Sequence, residues 1–236
     1  MSPGEIFLRR SRVLALLSRK KAEAVFDALA ALWPDAHCEL VHNTPFQLLV
    51  AVVLSAQTTD KAVNKALSAL LESQPTFGPA DLVALGEVGF LGVIKSIGLA
   101  PTKAKNCVRL AGDLLARHGG EVPSEREALE ALPGVGRKTA NVVLNVLYGL
   151  PTMAVDTHVA RLAVRLGLVE PTENRLHIEE ALLGKVPSRH ARQAHHQLIF
   201  HGRYHCTARA PKCEECALSP LCPRVGLAPL RKGAKK

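Results

Sequence analysis

Aromatic residues are scarce in this chain, amounting to 4% of 236 residues. A core with few large rings must rest on Leu, Val and Ala, a mixture that favours helices. Strand-like alternation of apolar and polar residues occurs almost nowhere, which argues against a sheet-based fold. No run of eighteen apolar residues exists, so no membrane span is expected; the apolar stretch from Phe46 to Ala56 is too short and reads as a buried helix. There is no hydrophobic leader with a small-residue cleavage site. Arg9, Arg10, Arg12, Arg19, Lys20 and Lys21 loosely resemble a mitochondrial transit peptide, but read better as a basic arm on a cytoplasmic protein. Internal repeats and low-complexity linkers are absent. Acidic residues are nearly missing from one end. From Lys185 to Lys236 there are 11 basic residues against Glu214 and Glu215 alone, whereas 19 basic and 19 acidic residues cancel between Met1 and Gly184. The whole net charge of +9 therefore sits near the C-terminus. Such a segment is either a solvated basic face or a partner for a large anion, of which a phosphate backbone is the commonest.

The remaining composition, 47% hydrophobic and 22% charged, is that of a globular chain of one large or two modest domains. The helical period recurs along it, and the fold class is all-α. Helices are expected at about 20–32, with Val25, Phe26, Leu29 and Leu32 on one face, and from Phe46 to about Gln57, with Thr44 as N-cap and Pro45 as first helical residue. Others follow at about 60–72, 79–85, 89–96 and 101–118. Ser124 and Glu127 form a capping-box pattern for a helix ending at Leu132. The last four lie at about 137–148, 156–166, 172–183 and 189–200. The segment from Gly149 to Thr152 is the best domain boundary, reinforced by the change in charge beyond it.

The most specific signal is Leu132-Pro133-Gly134-Val135-Gly136-Arg137-Lys138-Thr139-Ala140. A helix ends at Leu132, two glycines permit a tight turn with positive φ, and a new helix begins at once. Bare N–H groups at such a helix start make an anion site for phosphate, and glycine lets a DNA backbone approach. Val135 is expected to anchor the turn in its own core. An ordinary glycine-turn hairpin is the competing reading, and the full string weighs against it.

These residues resemble the helix–hairpin–helix of the endonuclease III superfamily of DNA glycosylases. The resemblance extends from about Ala22 to Cys222 and implies two helical domains flanking a DNA-binding cleft, with an iron–sulfur cluster loop near the C-terminus. A six-helix barrel domain would span 40–150, and residues 1–39 with 151–236 would form the second. Lys138 stands where some members carry a lysine after the second hairpin glycine, and Val155-Asp156-Thr157-His158-Val159 is similar to the family's aspartate motif. The resemblance thus implies that Lys138 is a nucleophile and Asp156 the catalytic acid. Gly134, Val135, Gly136, Arg137 and Thr139 would contact DNA around them, and His158 would orient substrate or merely pack. At its ordinary pKa a lysine is free amine in on the order of one molecule in two thousand at neutral pH. Burial and a cationic neighbour such as Arg137 are expected to lower that pKa. A surface lysine and a simple N-cap aspartate are the plain alternatives for each residue taken alone.

Cys206, Cys213, Cys216 and Cys222 crowd into one short segment, while Cys38 and Cys107 stand apart, a distribution that favours a reduced, metal-binding protein over a disulfide scaffold. Spacing alone leaves zinc and iron–sulfur both open. The pattern resembles the family's 4Fe–4S site, and that context implies a 4Fe–4S cluster acting as a scaffold. The loop between Cys206 and Cys213 would then offer Arg209 and Lys212 to phosphates. His190, His195, His196, His201 and His205 lie nearby and are expected to be solvated or phosphate-facing.

An enzyme that attacks C1′ must extract the nucleotide and fill the gap. Gln57, ending an apolar helix, matches the family's gap-filling glutamine, and Leu99 matches a wedge that enters the base stack; a helix end-cap and a core leucine are the alternatives. Two departures stand out. Ala100 and Pro101 follow Leu99 where many relatives carry a large residue, so opposite-strand readout would be rearranged, and Ala210 replaces a frequent basic residue. The expected partner is double-stranded DNA with a damaged base or abasic site, met by a monomer, with no membrane involved. A monofunctional glycosylase, a non-enzymatic helix–hairpin–helix module and a zinc-stabilised interaction domain are the competing functions; Lys138 argues against the first, its pairing with Asp156 against the second, and a brown rather than colourless protein would exclude the third.

Overall fold

The computed structural model describes residues 16–227, so the basic arm at Arg9, Arg10 and Arg12 and the tail beyond 227 lie outside the described residues. The described chain is all-helical. Its α-helices are α1 (Arg19–Leu32), α2 (Pro45–Leu54), α3 (Asp60–Ser73), α4 (Pro79–Ile94), α5 (Ala100–His118), α6 (Arg126–Glu130), α7 (Arg137–Tyr148), α8 (Thr157–Arg165), α9 (Arg175–Leu183) and α10 (Ala194–Phe200). A π-helical turn, His201–His205, continues α10. No helix among the described residues is long and apolar enough to cross a membrane.

Two hydrophobic cores organise these helices. The first gathers residues from Leu40 to Leu144 together with Ala154, around α2. Every residue of α2 from Phe46 to Leu54 is buried, so this helix is apolar on all sides and runs through the lobe. Thr44 caps it, its side chain accepting the N–H of Gln47 at 3.2 Å. The one polar side chain in the helix is satisfied: Gln47 accepts from the Asn43 N–H and donates to the carbonyls of Pro75 and Phe77. The second core joins α1 to α8, α9 and α10 through Val25, Phe26, Leu29, Val159, Leu162, Ile178 and Leu198, among others. Each fully buried leucine in these cores contributes on the order of 2 kcal/mol.

Several boundaries differ from the sequence reading. The apolar helix stops at Leu54, so Gln57 lies in the turn beyond it. The expected breaks around 86 merge into one helix, α4, kinked where Gly86 adopts φ 69°. The Ser124–Glu127 capping box does not form: Glu125 occupies the N-cap and captures the Ser124 hydroxyl at 2.8 Å. The helix expected at 189–200 is broken into a 3-10 turn, Ser188–His190, and α10, because Asp27 of α1 takes both Arg189 and His190. Leu32 is 39% exposed and off the buried face of α1.

Candidate active site

The hairpin joins α6 to α7. Gly134 has φ 80°, and a Cβ there would press on Asn106 and Val53 at 3.2–3.3 Å, so both conformation and space require glycine. Gly136 differs from expectation: its backbone is extended at φ −106°, and it serves as the uncapped N-cap of α7, with open space where a Cβ would sit. Its bareness leaves the first-turn N–H groups of α7 without a side-chain cap. Val135 is 7% exposed and belongs to the first core, so its side chain is an anchor and cannot be offered to DNA. Thr139 is half-buried in the first turn.

Lys138 is exposed rather than buried. Arg137, anticipated as a free cation beside it, instead gives its guanidinium to the buried Glu179 of α9, with Nε–Oε2 2.9 Å and Nη2–Oε1 3.0 Å. Arg126 reaches the same carboxylate at 3.5 Å and bonds Asn141. Glu179 thereby ties the hairpin to the second lobe.

Asp156 is brought to the same cleft by the face of α7 that carries Lys138. Lys138, Asn141 and Asn145 fall at helical spacing on one face. Asn141 Nδ2 donates to the Met153 carbonyl at 3.1 Å, and Asn145 Nδ2 to the carbonyls of Leu150 and Arg192. The returning segment is thus laid along α7 and delivers Asp156 to the start of α8. There Asp156 caps the helix, its Oδ1 accepting the Val159 N–H at 2.8 Å, while its carbonyl accepts from Arg175 at 3.1 Å. Two buried asparagines four residues apart in an apolar helix were the available sequence signal for this arrangement.

These elements enclose a cleft of about 960 Å³ whose lining includes Lys138, Asp156, Gln57, His158 and Arg175. Its opposite wall is an ion network unseen in the sequence: Arg203 pairs with Glu39 and, at 2.8 Å, with Asp60, and the Tyr204 hydroxyl donates to Glu39 at 2.7 Å. Behind it lies a small cavity shared by Lys138, Asp156, His195 and His196. The histidines here are not solvated as expected. His195, His196 and His201 are buried, and desolvation holds His195 well below the ordinary range and His196 at about 4. Leu99 is not part of the cleft lining; it stands 60% exposed at the start of α5.

The four cysteines of the C-terminal segment ring a single cavity walled by Leu166, Leu218 and Leu227. Arg165 of α8 donates to Cys206 Sγ at 3.4 Å and to the Thr207 and Ala208 carbonyls, and Arg161 donates to the Gly202 carbonyl at 2.8 Å. His201 Nδ1 accepts from the Trp33 indole at 3.2 Å, which leaves its Nε2–H facing Cys216 Sγ at 3.7 Å. Arg209 and Lys212 are exposed on the intervening loop, which is pinned by the His205 Nε2 contact to the Lys212 carbonyl. No three His, Cys, Asp or Glu side chains among the described residues are grouped as ligands of one metal ion.

A hairpin with a bare helix start, facing a cleft between two helical lobes, defines a base-excision repair fold, and the family model described as HhH-GPD superfamily base excision DNA repair protein matches residues 50–188. Endonuclease III of Bacillus subtilis (strain 168) is 46% identical over 221 residues, covering 94% of this chain and all of that protein. Endonuclease III of Escherichia coli (strain K12) is 50% identical over 189 residues, covering 80% of this chain and 88% of that one. The solved structure of a trapped endonuclease III–DNA covalent intermediate, an estranged-adenine complex, superposes with a TM-score of 0.83 at 45% identity, covering 89% of this chain and 97% of that one. The chain belongs to the endonuclease III family of base-excision DNA glycosylases and abasic-site lyases.

Proposed function

We propose that this chain removes oxidised or ring-saturated pyrimidines from double-stranded DNA and then cuts the strand through a Schiff base on Lys138. The observation that carries the reading is the convergence of Lys138 and Asp156 on one polar cleft. In its amine form, Lys138 Nζ bonds to the sugar C1′ while the C1′–N bond breaks and the base leaves with that electron pair. Asp156 accepts the lysine proton or stabilises positive charge at the sugar. The C1′–O4′ bond then opens, its oxygen taking a proton, as the nitrogen lone pair forms an iminium that acidifies the 2′-hydrogen. Its removal expels the 3′-phosphate by β-elimination, and water hydrolyses the iminium to restore the lysine. His158 and Arg175 line the same space and would orient the extruded nucleotide. Gln57 and Leu99 would fill and wedge the gap. Uncapped N–H groups at Gly136, Arg137 and Thr139, together with the Gly134 turn, would receive phosphate. Arg209 and Lys212 would add further phosphate contacts.

A 4Fe–4S cluster held by Cys206, Cys213, Cys216 and Cys222 is part of the proposal. The four sulfurs surround one cavity, as ligands to different irons of a cubane must, and N–H donors from Arg165 and His201 face two of them, which suits negatively charged sulfur. Bound there, the cluster would serve as a scaffold for the phosphate-facing loop. The two hydrophobic cores support a division into a barrel domain at 40–150 and a cluster domain of 1–39 with 151–236. A monomer working in the cytoplasm beside the nucleoid accords with this chemistry.

The test is borohydride trapping on a duplex carrying one thymine glycol, comparing the wild type with Lys138→Gln. A covalent adduct that disappears in the variant while DNA binding persists is the expected result. Base release with no adduct in the wild type would replace the proposal with a monofunctional glycosylase.

A further inference from the structure

Lys103 occupies the first turn of α5 and is only 6% exposed. Its ammonium donates to the Leu54 carbonyl at 2.9 Å, the Ala56 carbonyl at 2.6 Å and the Thr58 hydroxyl at 3.0 Å. A lysine ammonium has three hydrogens, so these oxygens use all of them, and none belongs to a carboxylate. The carbonyls lie at and just beyond the C-terminus of α2, where helical carbonyls have no partner of their own and the helix dipole is negative. The backbone N–H of the same residue donates to the Leu99 carbonyl at 3.0 Å and so closes the first turn of α5. Burying an ammonium among neutral groups is costly, and a methionine would avoid that cost but leave the two carbonyls unpaired, so the two effects oppose each other. Folding stability alone therefore does not explain a lysine here.

What the lysine holds does explain it. Gln57, between the two bonded residues Ala56 and Thr58, has φ 57°, and Leu99 has φ 61°. Both are left-handed conformations that side-chain-bearing residues adopt at a cost, and both side chains are exposed. We propose that Lys103 is a positioning residue that fastens the Gln57 turn and the Leu99 turn into one rigid wedge, so that duplex opening depends on it while chemistry at C1′ does not. This rests on the proposed roles of Gln57 and Leu99. A wedge ordered in advance pays no further conformational cost when it enters the stack. Desolvation pulls the Lys103 pKa down, in keeping with an ammonium enclosed by protein.

The test compares the wild type with Lys103→Met, which keeps length and volume and removes the charge. Single-turnover rates are measured on a duplex carrying one thymine glycol and on a single strand carrying one abasic site, where no stack must be opened. The duplex rate is expected to fall about tenfold or more while single-strand cleavage and borohydride trapping stay within about twofold. A fall of equal size on both substrates in a folded variant, or no fall on either, overturns the proposal. Should Lys103→Met fail to fold, Thr58→Val removes one acceptor and leaves the lysine; a smaller loss confined to the duplex supports the role, and an unchanged ratio of the two rates overturns it. Leu99→Ala serves as the control. If it spares the duplex rate, the wedge reading itself fails; if it lowers that rate and Lys103→Met does not, only the positioning role fails. Absence of a wild-type adduct on the single strand would instead refute the lyase reading.

Discussion

The buried histidine pair behind the cleft makes the stability of the second lobe sensitive to mild acid. His196 has a folded-state pKa of about 4 against an ordinary value of 6.5, and His195 is also held well below that value, by burial first and then by its neighbour His196 and the Lys138 charge. Both are depressed bases, so the unfolded chain binds protons that the folded chain refuses. The stability they leave intact is whole above pH 6.5 and erodes as the pH falls from there toward 4. Each pH unit costs about 1.4 kcal/mol per histidine, which comes to about 2 kcal/mol for His196 between pH 7 and pH 5. His195 contributes in the same direction, so that about 2 kcal/mol is a lower bound on the loss out of a typical 5–15. The carboxylate of Asp27, held below its ordinary range by His190 and Arg189, titrates beneath this window. His201 lies against Cys216, where a group bound by the cysteines would alter its surroundings. The single tryptophan, Trp33, packs edge-on against Phe200 in the same lobe and makes a suitable fluorescence probe. Urea denaturation of the wild type should show a midpoint lower at pH 5 than at pH 7 by roughly 1 M, with His196→Gln losing less. Equal midpoints at the two pH values, or equal losses in wild type and variant, would refute the reasoning.

Glu179→Gln breaks the charge that Arg137 and Arg126 share. Full removal of a buried pair's partner costs about 3–5 kcal/mol, but Arg137 can turn to water, so a loss on the order of 2 kcal/mol is expected in urea denaturation. Asn141→Ala leaves the Met153 carbonyl without its donor and frees the segment leading to Asp156; stability should drop by about 1–3 kcal/mol, and borohydride trapping should slow while affinity for undamaged DNA holds. DNA affinity should fall steeply with added salt, in a log–log plot with a slope equal to roughly 0.9 per phosphate contact, and a flat response would contradict the phosphate roles of the hairpin and cysteine loop.

Local signals in the chain settled a great deal. Helical periodicity, Thr44 with Pro45, and Asp156 ahead of an apolar period each depend on interactions within a few residues, and the helix and its cap formed in each place. The hairpin string and the aspartate motif were legible for the same reason, and with them the family. Ser124 shows the limit of such signals, since the adjacent Glu125 took its hydroxyl. Tertiary structure alone decided what long-range partners do. Arg137 is a cation in any reading of the sequence, yet a carboxylate 42 residues away claims it. The histidines near the C-terminus looked polar and solvated until packing of α10 between α1 and α8 buried them. No local signal sets Lys103 apart from the other lysines of the chain. Only the meeting of α5 with the end of α2 turned it into a buried donor to three oxygens, because burial and hydrogen-bond partners are properties of the folded neighbourhood and not of the residue.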